Sequence, residues 1–99
     1  GKPVKWIESR RENFVATIHG RGHVDYYEIA AKNDGTITGI KLKIIQDCGS
    51  YYTLLTPAIP TLSVLMMPGL YRTKTVRADI VGVFTNCTPT DAYRGAGRP

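Results

Sequence analysis

Cysteine is scarce in this sequence, with two residues among 99. Cys48 and Cys87 lie far apart and form no Cys-x-x-Cys pair. Small secreted scaffolds depend on a denser set of cysteines that can pair as disulfides. The scarcity excludes that class, and we expect two reduced thiols in a cytoplasmic protein.

Long hydrophobic runs are also missing. A membrane-spanning helix needs roughly 18 consecutive apolar residues, and the chain contains no such stretch. Its length suits one small domain and is too short for two. The chain starts without a methionine and stops within a glycine-rich stretch. We therefore expect residues 1–99 to be a single-domain fragment of a longer protein, with no membrane partner.

Acidic residues are outnumbered, since 13 Lys/Arg against 8 Asp/Glu give a net charge of +5. This balance favours an anionic ligand without identifying it. It leaves open a small basic β-rich module that binds single-stranded nucleic acid through phosphate neutralisation and stacking on tyrosines such as Tyr26 and Tyr27. His19 and His23 lack a third ligand in the sequence around them, so we expect no metal site there.

Hydrophobic periodicity and turn residues predict four strands and two helices. The strands span residues 3–8, 23–32, 36–46 and 73–85, and the helices span residues 10 to 14 or 15 and 57–67. The second helix is the longer one. This order predicts an α+β fold, with an antiparallel or mixed β-sheet and one main helix packed on a face.

Three local signals support these elements. Ser9 and Glu12 have the spacing of a capping box, which starts the first helix. The triplet 33–35, Asn-Asp-Gly, predicts a tight hairpin because these residues accept positive φ at low cost. The parity of the apolar residues changes near Gly39, so we expect a β-bulge there or a strand covered at both ends.

The last predicted strand is apolar on both faces near its end. Val81 and Val83 point to one face, and Ile80 and Phe84 point to the other. Strands that are buried on both faces have this composition. We therefore expect a central, covered strand that delivers the following loop into a deep site.

The stretch after that strand, residues 87–99, combines stiff and bare backbone with cations. Pro89 fixes the backbone at the exit from the strand, and Gly95 and Gly97 permit a sharp turn or close contact with a ligand. Arg94 supplies a planar fork of donors suited to phosphate or carboxylate. The stretch predicts either a cradle for an anionic group or a surface turn with solvated arginines.

Residues 92–99, Ala-Tyr-Arg-Gly-Ala-Gly-Arg-Pro, resemble the Ala-(Phe/Tyr)-Arg-Gly-x-Gly loop of the molybdenum hydroxylases. This family includes xanthine dehydrogenase, aldehyde oxidase and the large subunit of aerobic carbon monoxide dehydrogenase. Further segments resemble family motifs in the same order. They are Lys2-Pro3-Val4-Lys5-Trp6, Ser9-Arg10-Arg11-Glu12, Asp47-Cys48-Gly49-Ser50-Tyr51 and Thr85-Asn86. The resemblance therefore covers essentially the whole chain.

The resemblance implies a role for the final loop. Arg94 would lie beside molybdenum in the active site, where its fixed charge binds and polarises a substrate oxygen. Gly95, Ala96 and Gly97 would lie close to the molybdopterin cofactor and offer it backbone N–H groups. In copper-containing carbon monoxide dehydrogenases a cysteine follows this arginine and binds copper. Gly95 stands here instead, which favours an aldehyde or heterocycle as the substrate, with a carbon monoxide-like substrate as a further alternative.

The resemblance also implies partners. A general-base glutamate and a second glycine-rich segment would belong to the remainder of the large subunit, so the 99-residue piece is expected to be inactive and to bind no cofactor alone. Electrons would leave through iron–sulfur and flavin subunits or domains. Asp91 is interpreted as a turn residue rather than a catalyst. Nucleic acid is not expected as a partner in this interpretation.

Overall fold

The computed structural model describes residues 1–98, and Pro99, the last residue of the loop motif, lies outside that range. Two helices and three strands form in the order α1 (Arg10–Ala16), β1 (His23–Ala31), β2 (Ile37–Gly49), α2 (Ala58–Met66) and β3 (Val76–Phe84). The sheet order is β1-β2-β3, antiparallel between β1 and β2 and parallel between β2 and β3. The predicted α+β fold with a mixed sheet is confirmed.

The β1–β2 hairpin forms at the predicted triplet. Gly35 has φ of 85°, and the Thr36 amide donates to Asp34 Oδ1 at 2.9 Å. The register shifts where Ala30 faces Gly39 and Ala31 faces Ile37, which leaves one extra residue on β2. The bulge predicted near Gly39 is therefore confirmed, and it accounts for the change of apolar parity along β2.

The two helices also begin where their local signals predict. Ser9 and Glu12 form a capping box: the Ser9 amide donates to Glu12 Oε2 at 2.6 Å, and the Glu12 amide donates to Ser9 Oγ at 3.3 Å. Pro57 precedes α2, and Pro60 lies in its first turn, where a missing N–H costs little. Neither helix in residues 1–98 has the length and apolar character needed to cross a membrane.

The core is centred on β2. Its side chains at alternate positions on one face, Ile40, Leu42 and Ile44, are buried. Helix α2 forms the crossover that parallel neighbours such as β2 and β3 require, and it buries Ile59. The main helix packs on β2 and β3, as the sequence predicts.

The strand predicted at residues 3–8 is wrong. These residues have no regular secondary structure, and they pair with no strand among residues 1–98. Val4 and Trp6 are 92% and 66% exposed. Alternation alone does not make a strand, because its backbone needs a neighbouring ladder and its apolar face needs a surface to cover it.

The prediction that the last strand is central and covered on both faces is also wrong. Within residues 1–98, β3 is an edge strand, and its apolar side chains are largely exposed: Val81 is 43% and Phe84 is 59% accessible. β2 takes the central position instead. Apolar residues on both faces predict two covering layers, but among the described residues α2 is the only other element that packs against β3 besides its partner strand.

Candidate functional site

The loop after β3 closes one side of a cavity of about 500 Å³. Three segments line this cavity: residues 18–25, the helix α2 at Ile59 and Ser63, and residues 91–97. Arg94, Ala96 and Gly97, which the sequence singled out, all line it. The structure therefore brings three of the four predicted site residues together at one concave surface, while Gly95 lies in the same turn but does not line the cavity.

The lead-in to the loop runs alongside the segment that precedes β1. His19 and Thr90 form a parallel bridge. The His19 amide donates to the Pro89 carbonyl at 3.0 Å, and the Asp91 amide donates to the His19 carbonyl at 2.9 Å. These backbone bonds fix the path of the chain just before it reaches the cavity.

Gly49, at the end of β2, packs directly against the same lead-in. Its φ is 71°, and a Cβ at this position would lie 2.4 Å from Pro89 Cα and 2.6 Å from the Thr88 carbonyl oxygen. The Thr85 amide donates to the Gly49 carbonyl at 2.9 Å. Only a residue without a side chain fits this contact, so the Asp-Cys-Gly-Ser motif forms a seam with the motif at Thr85.

The side chain of Asp47 also joins the ends of β2 and β3. Its Oδ1 accepts from Thr85 Oγ1 at 2.6 Å and from the Gly49 amide at 2.8 Å. The bond from Thr85, then that from Gly49, holds the pKa of the Asp47 carboxyl below its ordinary value, since both stabilise the charged form. Asp47 is therefore an ionised structural anchor between the ends of β2 and β3.

The far end of the loop rests on helix α2. Gly97 has φ of 93°, and a Cβ there would lie 2.6 Å from the Ser63 amide nitrogen and 2.8 Å from the Ile59 carbonyl oxygen. These atoms belong to helix backbone, which cannot move aside cheaply. The glycine is thus required for the loop to touch α2.

The turn at Gly95, Ala96 and Gly97 has positive φ at all three residues, 82°, 35° and 93°. The Arg98 amide donates to the Gly95 carbonyl at 3.2 Å and closes the turn. The amides of the three turn residues donate to no other group of residues 1–98. They are backbone donors beside the cavity whose hydrogen bonds are not used by the described part of the chain.

Arg94 is the cation at this turn. It lines the cavity, its residue is exposed, and it forms no salt bridge within the part of the chain that the structure describes. Its guanidinium charge is therefore free to act on a ligand. Arg21 lines the same cavity and has φ of 66°.

The two histidines of the cavity wall differ in their contacts, because His19 is hydrogen-bonded while His23 Nε2 is buried with no hydrogen-bond partner in residues 1–98. His19 Nε2 lies 2.9 Å from the Phe14 carbonyl oxygen, and its ring stacks on the Phe14 ring at 5.9 Å between centroids. His23 Nδ1 lies 3.9 Å from Asp25 Oδ1. Within residues 1–98 no group of three His, Cys, Asp or Glu side chains has the arrangement of a metal site.

Asp91 has a larger role than that of a turn residue. Burial raises the pKa of its carboxyl, but hydrogen bonds from Thr53, Ala92 and Leu55 outweigh that cost and hold the pKa below its ordinary value. The residue is buried at the start of the loop. No local pattern predicts the contact with Thr53, because the two residues are 38 positions apart.

The chain matches, over residues 1–99, the family described as the molybdopterin cofactor-binding domain. It is 37% identical over 98 residues to the 6-hydroxypseudooxynicotine dehydrogenase complex subunit gamma of Paenarthrobacter nicotinovorans, covering 99% of this chain and 12% of that protein. It is 33% identical over 99 residues to the nicotine 6-hydroxylase large subunit of the same organism, covering 96% and 12%.

A third relative is the carbon monoxide dehydrogenase large chain of Hydrogenophaga pseudoflava. It is 33% identical over 96 residues, which cover 95% of this chain and 12% of that protein. The chain thus spans 12% of the length of each of these relatives.

Proposed function

Because the chain belongs to the molybdopterin cofactor-binding domain family, we propose that it is part of the catalytic subunit of a molybdenum hydroxylase. In this proposal residues 1–99 are one fragment of a longer molybdopterin-binding subunit and are inactive alone. The observation that supports the proposal is the position of the loop 94–97. It is held between the Gly49 seam and helix α2, with Arg94 and the turn amides at one cavity.

The donor set of this cavity fits molybdopterin. The cofactor is anionic, and the turn at Gly95, Ala96 and Gly97 offers amide donors that residues 1–98 leave unused. The volume of about 500 Å³ lies within the range of small-molecule sites. We assign cofactor binding to these three residues.

Arg94 acts on the substrate. The cofactor supplies the redox chemistry when it is bound, and the chain's own contribution is to bind and orient the substrate oxygen with a fixed positive charge. Such a charge stabilises negative charge that develops during reaction, provided that it is held in place beforehand. The backbone on either side of Arg94, fixed at Asp91 and at Gly97, supplies that rigidity.

We propose a carbon of an aldehyde or nitrogen heterocycle as the site of hydroxylation. Gly95 follows Arg94 at the position where the copper-containing enzymes that the sequence resembles carry a cysteine, which disfavours carbon monoxide. One relative is named nicotine 6-hydroxylase large subunit, after an organic nitrogen compound. This name supports a nitrogen heterocycle as the substrate.

The proposed partners are the remainder of the large subunit and iron–sulfur and flavin subunits or domains. In support, one relative is named as a subunit of a complex and another as a large chain. The exposed apolar side chains of β3, such as Val81 and Phe84, give the remainder of the subunit a surface to cover. Cys48 and Cys87 are free thiols, which favours the cytoplasm. Nucleic acid has no part in this proposal, because the family match accounts for the whole chain.

The test uses the intact parent protein with Arg94→Ala. We expect turnover to fall by about 10²- to 10³-fold, the usual cost of removing one preorganised electrostatic contact, while the molybdenum content stays that of the wild type. Arg72→Ala is the matched control, because Arg72 is exposed and does not line the cavity. Unchanged turnover in Arg94→Ala would remove this residue from the mechanism.

A further inference from the structure

We propose that Asp91, through its hydrogen bond with Thr53, is a positioning residue that holds the loop carrying Arg94 in the conformation that the reaction needs. The inference rests on the proposed function, since it concerns the same loop. It assigns a task to a buried carboxylate at the edge of the cavity.

Both carboxylate oxygens of Asp91 are engaged. Thr53 Oγ1 donates to Oδ2, and the Leu55 amide donates to the same oxygen at 3.3 Å. The Ala92 amide donates to Oδ1 at 2.5 Å. The carboxylate therefore ties the first residues of the loop to the connection between β2 and α2.

Thr53 is itself held in place by buried neighbours. Its amide donates to Thr56 Oγ1 at 3.0 Å, and the two hydroxyl oxygens lie 2.8 Å apart. Gln46 Nε2, in the middle of the sheet, donates to the Thr56 carbonyl at 2.9 Å. Thr56 and Gln46 are almost completely buried. The hydrogen bond from Thr53 to Asp91 is therefore supported by core residues rather than by a surface turn.

Asp91 has no substitute in the described part of the chain. Of the residues from 91 to 98, it alone has a side chain that hydrogen-bonds to the rest of residues 1–98. Arg94 lies between Asp91 and Gly97, the two points at which the loop is fixed. Loss of either point loosens the chain that carries the guanidinium, since without the Asp91 side chain only the bond from the Asp91 amide to the His19 carbonyl holds residue 91.

The chemistry of the site requires an acceptor and not merely a residue of this size. Three donors converge on the carboxylate, and two of them are backbone amides that cannot turn away. Asparagine would put an NH₂ group where one of these donors now points, and a buried donor without a partner is costly. Asp91→Asn therefore removes the charge and one of the two acceptor oxygens while it keeps the shape, which weakens these hydrogen bonds.

The test compares four proteins in the intact parent: wild type, Asp91→Asn, Thr53→Val and Thr53→Ser. Two quantities are measured, the hydrogen exchange of the hydrogen-bonded amides of Asp91, Ala92 and Arg98 and the turnover per bound molybdenum. Thr53→Val removes the hydroxyl donor, and it tests the same contact if Asp91→Asn does not fold. Ile40→Val, a buried change at the other end of the sheet, is the control for general destabilisation.

We expect Asp91→Asn and Thr53→Val to exchange these amides about 10- to 100-fold faster, as the loss of a charged hydrogen bond implies. Turnover per molybdenum should fall by a similar factor, because a small misplacement of a catalytic group is enough to do so. Thr53→Ser should stay close to the wild type, since it keeps the hydroxyl. Ile40→Val should lose stability without losing turnover per molybdenum.

Wild-type exchange, or wild-type turnover per molybdenum, in both Asp91→Asn and Thr53→Val would overturn the inference. Failure of Thr53→Ser to restore the wild-type values would also overturn it, because the effect would then depend on shape and not on the hydroxyl. A wild-type protein that contains no molybdenum would instead refute the proposed function. The exchange comparison would still decide whether Asp91 holds the loop.

Discussion

Gly49→Ala tests how closely the end of β2 is packed against the lead-in to the Arg94 loop. Alanine at this position meets two obstacles. Its φ would have to stay near 71°, and its methyl group would lie 2.4 Å from Pro89 Cα. Ordinary contacts of a Cβ begin near 3.4 Å, so the lead-in must retreat by about 1 Å.

The structure allows the cost to be separated into parts. A left-handed conformation costs an alanine about 1 kcal/mol or more. Overpacking against backbone costs about 1–3 kcal/mol. Retreat of the lead-in also strains the bond of 3.0 Å from the Ser50 amide to the Cys87 carbonyl, with a net contribution of about 1 kcal/mol. The expected destabilisation is about 3–5 kcal/mol, a large part of the stability of a small domain.

Gly35→Ala is the matched control. Gly35 has a similar φ, 85°, but nothing lies within 4 Å of the position that its Cβ would take. It therefore reports the conformational cost without the overlap. Denaturant unfolding of the chain, followed by circular dichroism, should rank wild type above Gly35→Ala and Gly35→Ala well above Gly49→Ala. Equal losses in the two variants would refute the packing argument.

Two further predictions concern stability. Because the pKa values of Asp47 and Asp91 are below the ordinary 3.8 in the folded chain, their contribution is complete above that pH and is lost as the pH falls through the folded values. Urea midpoints across the acid range should show this loss, and Asp91→Asn should make it smaller. Leu42→Ala, a fully buried change, should cost about 2–5 kcal/mol. Lys43→Ala beside it should cost far less, and equal midpoint shifts would contradict the assigned core.

The parts of the fold that the sequence predicts are those fixed by neighbouring residues. The capping box at Ser9 and the turn at Asp34 and Gly35 need only three or four consecutive positions, so their signals are complete in the sequence. The same holds for the bulge beside Gly39. Each of these features depends on backbone preferences and short-range hydrogen bonds.

Strand order was beyond such reasoning. The apolar composition of β3 predicts two covering layers, yet which strand lies in the middle depends on pairing between distant segments. β2 takes the centre because it pairs with β1 through the hairpin and with β3 through the crossover. Residues 3–8 alternate as a strand does but find no pairing partner among the described residues.

The candidate site also has one part that local motifs predict and one part that depends on distant contacts. The local motif predicts Arg94 and the turn at 95–97 as site residues, and Arg94, Ala96 and Gly97 line one cavity. The contacts that hold them there were not foreseen. Gly97 touches α2 about 35 residues earlier in the chain, and Asp91 meets Thr53 across a similar separation. Contacts of this kind depend on tertiary packing, which no pattern of neighbouring residues encodes.

The molybdenum content of the intact parent with Gly97→Ala tests the central claim most directly, since that change forces the loop away from α2. We predict that the wild-type and Gly35→Ala proteins retain stoichiometric molybdenum, while Gly97→Ala loses most of it. A full complement of molybdenum in Gly97→Ala would contradict the assignment of residues 95–97 to the cofactor.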